Sequence, residues 1–175
     1  MVYSNGSYYE CHWANNTQHG EGKYFYYNGY IYKGNFDSGM RSGYCEMHFA
    51  NKDIYKGTWK NNVRSGTGDL LMCNGNHYLG QFNNDTIDGK GQMTFTNGDC
   101  YKGVFDKNKI NGNGIYTYFD GNTYKGNLFN ELPHGRGTMI HSDGTVQKGF
   151  WEECHFISSD KKRKKSRDCI SADKL

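Results

Sequence analysis

The chain has 175 residues, of which 35% are hydrophobic, and a formal net charge of +3 at pH 7. Residues 1–151 hold 14 basic and 13 acidic residues, so this part lacks the basic excess that is typical of nucleic-acid-binding proteins. No segment approaches the roughly 18 consecutive apolar residues of a membrane-spanning helix, which excludes that class.

Glycine and aromatic residues take the place of the aliphatic residues that usually build a core. The chain has 24 glycines, 15 tyrosines and 10 phenylalanines, but a single proline. Aromatic residues favour strands and glycine favours turns. The composition therefore predicts short strands joined by many turns.

The sequence repeats every 23 residues from Tyr9 onward, without an insertion. We number the positions of this repeat as columns 1 to 23, with Tyr9 in column 1. Glycine fills column 12 in every copy and columns 3, 14 and 21 in all copies but one. Column 1 continues with Tyr32, Tyr55, Tyr78, Tyr101 and Tyr124, and column 5 holds Trp13, Phe36, Trp59, Phe82, Phe105, Leu128 and Trp151. Six full copies and two part-copies predict an array of equivalent units.

Each copy contains two alternating segments, columns 1 to 5 and columns 14 to 18, which predict two short strands. The frequent glycines disfavour helices, since each costs about 1 kcal/mol in a helix interior. An Asn-Gly or Asp-Gly pair in columns 20 and 21 predicts a tight hairpin turn after the second strand. These pairs are Asn28-Gly29, Asn74-Gly75, Asn97-Gly98, Asp120-Gly121 and Asp143-Gly144.

The pairing register follows from the need to bury the apolar columns together. A three-residue loop over columns 19 to 21 sets column 16 opposite column 1, which puts columns 1, 5, 16 and 18 on one face. We therefore predict a type I turn followed by a glycine bulge. Lys52 replaces that glycine in one copy, where a left-handed conformation would cost about 1 kcal/mol.

The predicted fold is all-β: an elongated single-layer antiparallel sheet of stacked 23-residue β-hairpins. A buried aromatic side chain contributes about 1.5–3 kcal/mol, while ordering each residue's backbone costs about 1–2 kcal/mol. One hairpin is therefore too small to fold alone, and stability must come from stacking on neighbouring copies, as in a solenoid.

The period ends after Trp151. We expect the array to cover residues 1–151 and a basic, disordered tail to cover residues 152–175. The tail suits a nuclear signal, a tether to a lipid surface or a solubilising end, and the sequence leaves these open. Its basic run is Lys161, Lys162, Arg163, Lys164 and Lys165.

Units such as YKGNFDSGMRSGYCEMHFANKD and YKGVFDKNKINGNGIYTYFDGNT resemble the MORN (membrane occupation and recognition nexus) repeat. The resemblance covers residues 1–151 and implies a MORN solenoid of the MORN-only type. It implies a non-enzymatic scaffold of the cytoskeleton, cilium, flagellum or cell-division apparatus, with a myosin-like tail among the possible partners. MORN repeats also precede lipid-kinase and lysine-methyltransferase domains, so a targeting region of an enzyme is an alternative.

The first hypothesis for function is a protein-interaction rod. A single-layer sheet leaves one aromatic face without a covering layer, and an open apolar surface usually marks a partner site. We expect a helical or extended partner segment in this groove. The expected contact residues are Tyr32, Phe36, Tyr55, Trp59, Tyr78, Phe82, Tyr101 and Phe105.

The second hypothesis is a membrane-surface module that binds acidic phospholipids through column 2 and the basic tail. Column 2 holds Lys33, Lys56, Lys102, Lys125 and Lys148. An ordinary solvated face with cross-strand ion pairs, such as Glu46 with Lys56, is the alternative interpretation. We also expect that the chain could form a homodimer through the sheet ends or the apolar face.

No arrangement of residues typical of catalysis, a cofactor site or a metal site is expected. The seven histidines and six cysteines occupy unrelated columns, unlike the fixed spacings of zinc ligands. The N-terminal sequence has neither the basic segment nor the apolar run of a secretory signal. Reduced cysteines and a cytoplasmic location are therefore expected.

Overall fold

The sequence repeat folds as a series of two-strand units in a single sheet. The computed structural model describes residues 2–159, in which 14 antiparallel strands follow one another in sequence order. The strands are β1 (Tyr8–Ala14), β2 (Thr17–Phe25), β3 (Ile31–Asp37), β4 (Met40–His48), β5 (Ile54–Lys60), β6 (Val63–Leu71), β7 (His77–Asn83), β8 (Thr86–Thr94), β9 (Cys100–Asp106), β10 (Lys109–Thr117), β11 (Thr123–Phe129), β12 (Leu132–Ile140), β13 (Val146–Glu152) and β14 (His155–Ser158). The predicted all-β fold, an open sheet of hairpin repeats, is confirmed.

The predicted loop over columns 19 to 21 is confirmed, including its register. Between β2 and β3, the Gly29 amide donates to the Tyr26 carbonyl (3.0 Å) and the Tyr26 amide donates to the Tyr30 carbonyl (2.9 Å). Gly29 has a φ of 86°, and Tyr24 pairs with Tyr32 across the loop. Columns 16 and 1 thus face each other as burial requires.

A second kind of turn, in columns 7 and 8, was not predicted from the sequence. Both of its residues have positive φ, for example 51° at Asn61 and 71° at Asn62, which is the geometry of a type I′ turn. Asparagine marks it in most copies, but Ser38-Gly39 and Glu153-Cys154 adopt it too. Because the residues of these two columns vary from copy to copy, the sequence pattern does not indicate this turn.

Hydrogen bonds between the turns at both ends of the strands connect each copy to the next. At one end the Thr96 amide donates to Asn76 Oδ1 (3.1 Å) and the Phe119 amide donates to Asp99 Oδ1 (2.8 Å). At the other end the Asn108 amide donates to the Ile87 carbonyl (2.8 Å). Each copy is therefore held by its immediate neighbours.

The core consists of tyrosine rings lying over pairs of facing glycines. Gly80 pairs with Gly91, and a Cβ atom on Gly91 would come within 2.5 Å of the Tyr78 ring. The Tyr78 hydroxyl donates to the Gln81 carbonyl (2.9 Å). Its ring meets Phe82 and Phe105 edge to face, with centroids 5.3 and 5.1 Å away. The same hydroxyl bond recurs at Tyr32, Tyr55, Tyr101 and Tyr124.

The sheet continues beyond the predicted end of the array. The sequence predicts that the tail starts at Glu152, but Glu152 lies in β13 and residues 155–158 form β14. Phe156 pairs with Trp151 and covers its ring edge to face, with centroids 5.2 Å apart. The tail from residue 160 onward lies outside the described residues.

Lys52→Gly is expected to stabilise the protein by about 1 kcal/mol, because Lys52 has a φ of 74° where glycine carries no such strain. Gly29→Lys is the matched reverse change: Gly29 has a φ of 86° and open space for a Cβ atom. It should lower the free energy of unfolding by a similar amount in urea denaturation. Changes of the same sign in the two variants would contradict the strain argument.

Gly91→Ala is expected to destabilise the protein by about 1–3 kcal/mol, because the added methyl group overlaps the Tyr78 ring. Gly144→Asn is the control, since Gly144 has open space and a φ of 86° that asparagine tolerates. Urea unfolding should show a change within about 0.5 kcal/mol for this control. A Gly91→Ala protein as stable as the parent would show that the ring does not need the glycine pair.

Candidate protein-binding face

The eight residues that we expected to line a partner groove form the core instead. None of their side chains is more than 5% exposed, because the tyrosine rings lie over the backbone of columns 3 and 14 and rings of adjacent copies pack edge to face. Little of each side chain is left for a partner to contact, so partner contact at these eight residues stays a prediction. The eight residues are Tyr32, Phe36, Tyr55, Trp59, Tyr78, Phe82, Tyr101 and Phe105.

Most copies have a partly accessible apolar side chain in column 18 of the same face, at the ends of the even-numbered strands, while in column 16 only Tyr24, Tyr116 and Met139 are partly accessible. The side chains of column 18 are half-buried and pack against the core with one side. We call this set the outer stripe: Tyr26, Phe49, Met72, Phe95 and Tyr118. The sequence placed column 18 on the aromatic face, but its period does not say which apolar columns remain accessible.

Column 10 also lies on this face and changes character along the chain. Ile87 and Ile110 are 5% and 2% exposed, whereas Arg41 and Arg64 occupy the equivalent positions in earlier copies. Together with Tyr26, Phe49 and Trp59, the two arginines line an open depression of about 430 Å³. We call it the arginine depression. Column 10 was not among the predicted site positions, although the change from Arg41 and Arg64 to Ile87 and Ile110 is visible in the sequence.

Aromatic rings hold both guanidinium groups in place. The Arg41 guanidinium carbon lies 4.1 Å from the centroid of the Trp59 ring, and that of Arg64 lies 5.1 Å from the Phe82 ring. Arg64 also forms an ion pair with Asp85 at 3.1 Å. Such stacked cations contribute about 0.5–2 kcal/mol each.

The buried indole nitrogen of Trp59 has no hydrogen-bond partner within residues 2–159. Trp151 occupies the same column, and its Nε1 donates to the Gly137 carbonyl at 3.2 Å. A buried donor without an acceptor costs about 1–3 kcal/mol. A tryptophan in this column can therefore donate a hydrogen bond within the sheet, as Trp151 does, but Trp59 does not.

The lysines of column 2 lie on the opposite face and fall into two groups. Lys33 and Lys56 both approach the Glu46 carboxylate, at 3.8 and 3.7 Å. A hydrogen bond from His48, and then these two lysines, lower the pKa of Glu46.

In the part of the chain that the structure describes, no ion pair involves the C-terminal lysines of column 2. Their cross-strand neighbours are uncharged: Lys102 lies opposite Gln92 and Ile115, Lys125 opposite Ile115 and Thr138, and Lys148 opposite Thr138. Contact with acidic lipid or an acidic partner stays a prediction. The basic run Lys161, Lys162, Arg163, Lys164 and Lys165 lies outside the described residues.

Over residues 2–159 there is no group of three or more His, Cys, Asp or Glu side chains that could hold a metal ion. Nor do these residues form a helix long and apolar enough to cross a membrane. The thiols of Cys45, Cys73, Cys100 and Cys154 are free. Burial raises the pKa of the Cys45 thiol to about 12, so this thiol is a packing group rather than a nucleophile.

Comparison with known proteins identifies the repeat unit. The family model described as MORN repeat matches residues 9–29, 32–54, 55–77, 78–100, 101–123 and 124–146. No curated protein sequence matches the chain.

Solved structures are similar to the chain at low sequence identity. The wild-type TCP10 domain of Danio rerio CPAP is 16% identical, with a TM-score of 0.51, over 85% of this chain and 72% of that chain. The SAS-4 (dCPAP) TCP domain of Drosophila melanogaster, in complex with a proline-rich motif of Ana2 (dSTIL), is 15% identical, with a TM-score of 0.35, over 84% and 85% of the two chains. The first likeness shows a common single-sheet architecture.

The protein should lose stability in alkali as the pH rises from 10 to about 12. Burial raises the pKa of Tyr78, Tyr118 and Tyr124 from an ordinary value of 10.0 to about 12. The folded state thus holds these protons more tightly than the unfolded chain, and its advantage is complete below pH 10 and disappears above it. Circular dichroism and tyrosinate absorbance should change together over this window. Tyrosines that all ionise near pH 10 while the sheet remains intact would contradict this assignment.

Proposed function

The chain belongs to the MORN repeat family, and we propose that it is a non-enzymatic scaffold that holds a partner protein segment against its outer stripe. The observation that carries the proposal is the partial exposure of column 18. The rings of columns 1 and 5 are already buried by their own neighbours, so the sheet is stable without a covering layer. The outer stripe remains as apolar surface that a partner can cover.

The spacing of the outer stripe supports an elongated partner. Two strands separate successive stripe residues, which places them about 10 Å apart at about 4.8 Å per strand. Seven residues of an α-helix also span about 10 Å. A helix with an apolar residue at every seventh position would therefore meet one stripe residue every two turns.

An extended partner fits the same distance in one conformation. Polyproline II advances about 3.1 Å per residue with three residues per turn, so every third side chain returns to the same side after about 9 Å. A flat β-strand does not share this property, because residues three apart point in opposite directions. Helical and polyproline partners are thus the two forms compatible with the stripe. The cytoskeletal, ciliary or flagellar setting stays a prediction that rests on the family resemblance.

The double substitution Met72→Ser and Phe95→Ser should reduce partner capture by at least about tenfold, since each removes an apolar contact of about 1 kcal/mol or more. The measurement is affinity purification of the tagged full chain from its own cells, followed by quantitative mass spectrometry. Partners lost specifically from this variant are those that use the stripe.

Leu79→Ser with Val104→Ser is the matched control, because these apolar side chains are 56% and 37% exposed on the opposite face. Thermal unfolding must show that both double variants are folded at the temperature of capture. Equal capture by the stripe variant, the control variant and the parent would rule out the outer stripe as the partner site.

A further inference from the structure

Column 8 of each copy packs on column 10 of the copy before it. The Asn62 amide donates to the Arg41 carbonyl at 3.1 Å, and the Asp85 amide donates to the Arg64 carbonyl at the same distance. The repeat therefore provides two similar arrangements, 23 residues apart. They differ in the side chain of column 8 and in the ring beside the guanidinium, which is Trp59 at Arg41 and Phe82 at Arg64.

In the arrangement around Arg64, the cation is neutralised within the chain. Asp85 Oδ1 accepts from the Arg64 backbone amide (2.9 Å) and from its Nε (3.1 Å). The Asp85 carbonyl accepts from Nη2 of the same guanidinium (2.6 Å). Asp85 thus supplies both the counter-charge and the hydrogen-bond acceptors for the Arg64 guanidinium.

In the arrangement around Arg41, the same atoms meet an uncharged amide. Asn62 Oδ1 accepts from the Arg41 backbone amide (2.8 Å) and from its Nε (3.4 Å), and the Asn62 carbonyl accepts from Nη2 (3.0 Å). No carboxylate in residues 2–159 forms an ion pair with Arg41. The geometry is kept, but the counter-charge is missing.

Trp59 adds a second unmet requirement at the same place. Its ring supports the Arg41 guanidinium at 4.1 Å, while its own buried Nε1 lacks an acceptor. A half-buried cation without a counter-charge and a buried donor without an acceptor are both costly. A carboxylate bound at Arg41, with one negative charge shared by two oxygen atoms, would supply the counter-charge and bring a hydrogen-bond acceptor to the side of the Trp59 ring.

We propose that Arg41 and Trp59 form a binding site for a carboxylate carried by the partner segment. This inference rests on the proposed function, since the arginine depression adjoins Tyr26 and Phe49 of the outer stripe. The carboxylate takes the place at Arg41 that Asp85 occupies at Arg64. It fixes the position of the partner along an otherwise repetitive stripe.

The charge of the depression favours a carboxylate over a phosphate. Two arginines and Asp85 line it, which leaves a net charge of +1. A single carboxylate balances this charge, whereas a phosphate group with nearly two negative charges would exceed it and meet the Asp85 carboxylate. The aromatic walls suit a carboxylate that has apolar residues on either side.

The test uses a capped tripeptide of phenylalanine, glutamate and leucine, its glutamine counterpart, and inorganic phosphate. The chain has three tryptophans, so the indole N–H signal of Trp59 can be followed by NMR and assigned with Trp59→Phe. We expect the glutamate peptide to shift this signal in a saturable manner, at least tenfold more tightly than the glutamine peptide or phosphate. Equal binding of the two peptides, or tighter binding of phosphate, would overturn the carboxylate site.

Two further variants use the repeat as its own control. Asn62→Asp supplies the missing carboxylate from within the chain and should weaken binding of the glutamate peptide at least tenfold while keeping the fold. Asn108→Asp makes the same change beside Ile87, whose amide donates to Asn108 Oδ1 at 2.8 Å, and should leave binding unchanged. Undiminished binding to Asn62→Asp would refute the role of Arg41. If partner capture needs Met72 and Phe95 but is unaffected by Asn62→Asp, this inference fails and the proposed function stands.

Discussion

The fit of a tyrosine ring onto two facing glycines is the constraint on which the whole structure depends. A single sheet ordinarily needs a second layer to bury its apolar face. Here the missing side chains of columns 3 and 14 leave bare backbone on which the ring lies flat, and the ring hydroxyl bonds to a main-chain carbonyl of its own strand. The rings of adjacent copies then cover one another edge to face, so the sheet carries its own core.

Much of this architecture could be predicted because a strict period leaves few choices. The glycine in column 21 fixes the loop, the loop fixes the register, and the register puts four apolar columns on one face. The type I′ turns escaped prediction because columns 7 and 8 tolerate asparagine, lysine and glutamate alike. The last strand escaped because His155–Ser158 lacks both the tyrosine and the glycines of the repeat.

The candidate site was harder to predict than the fold, and for a physical reason. The sequence shows which side chains share a face, but accessibility depends on how neighbouring rings cover one another. Tyr55 and Phe49 are both aromatic residues of the same face, yet Tyr55 is fully buried and Phe49 is partly exposed. Departures from the repeat proved more informative than the repeat itself. Arg41 and Asn62 stand out only against Arg64 and Asp85, which hold the same places with a complete charge pair.

The hydrogen bonds between turns at both ends of the strands connect a copy to its immediate neighbours, and each strand pairs only with the strands before and after it. Removing or adding one whole copy would therefore leave every remaining register intact while changing the length of the sheet by about 10 Å. The length of the sheet can therefore change only in steps of one copy. The distance between features at its two ends is set by a count of copies rather than by the details of packing.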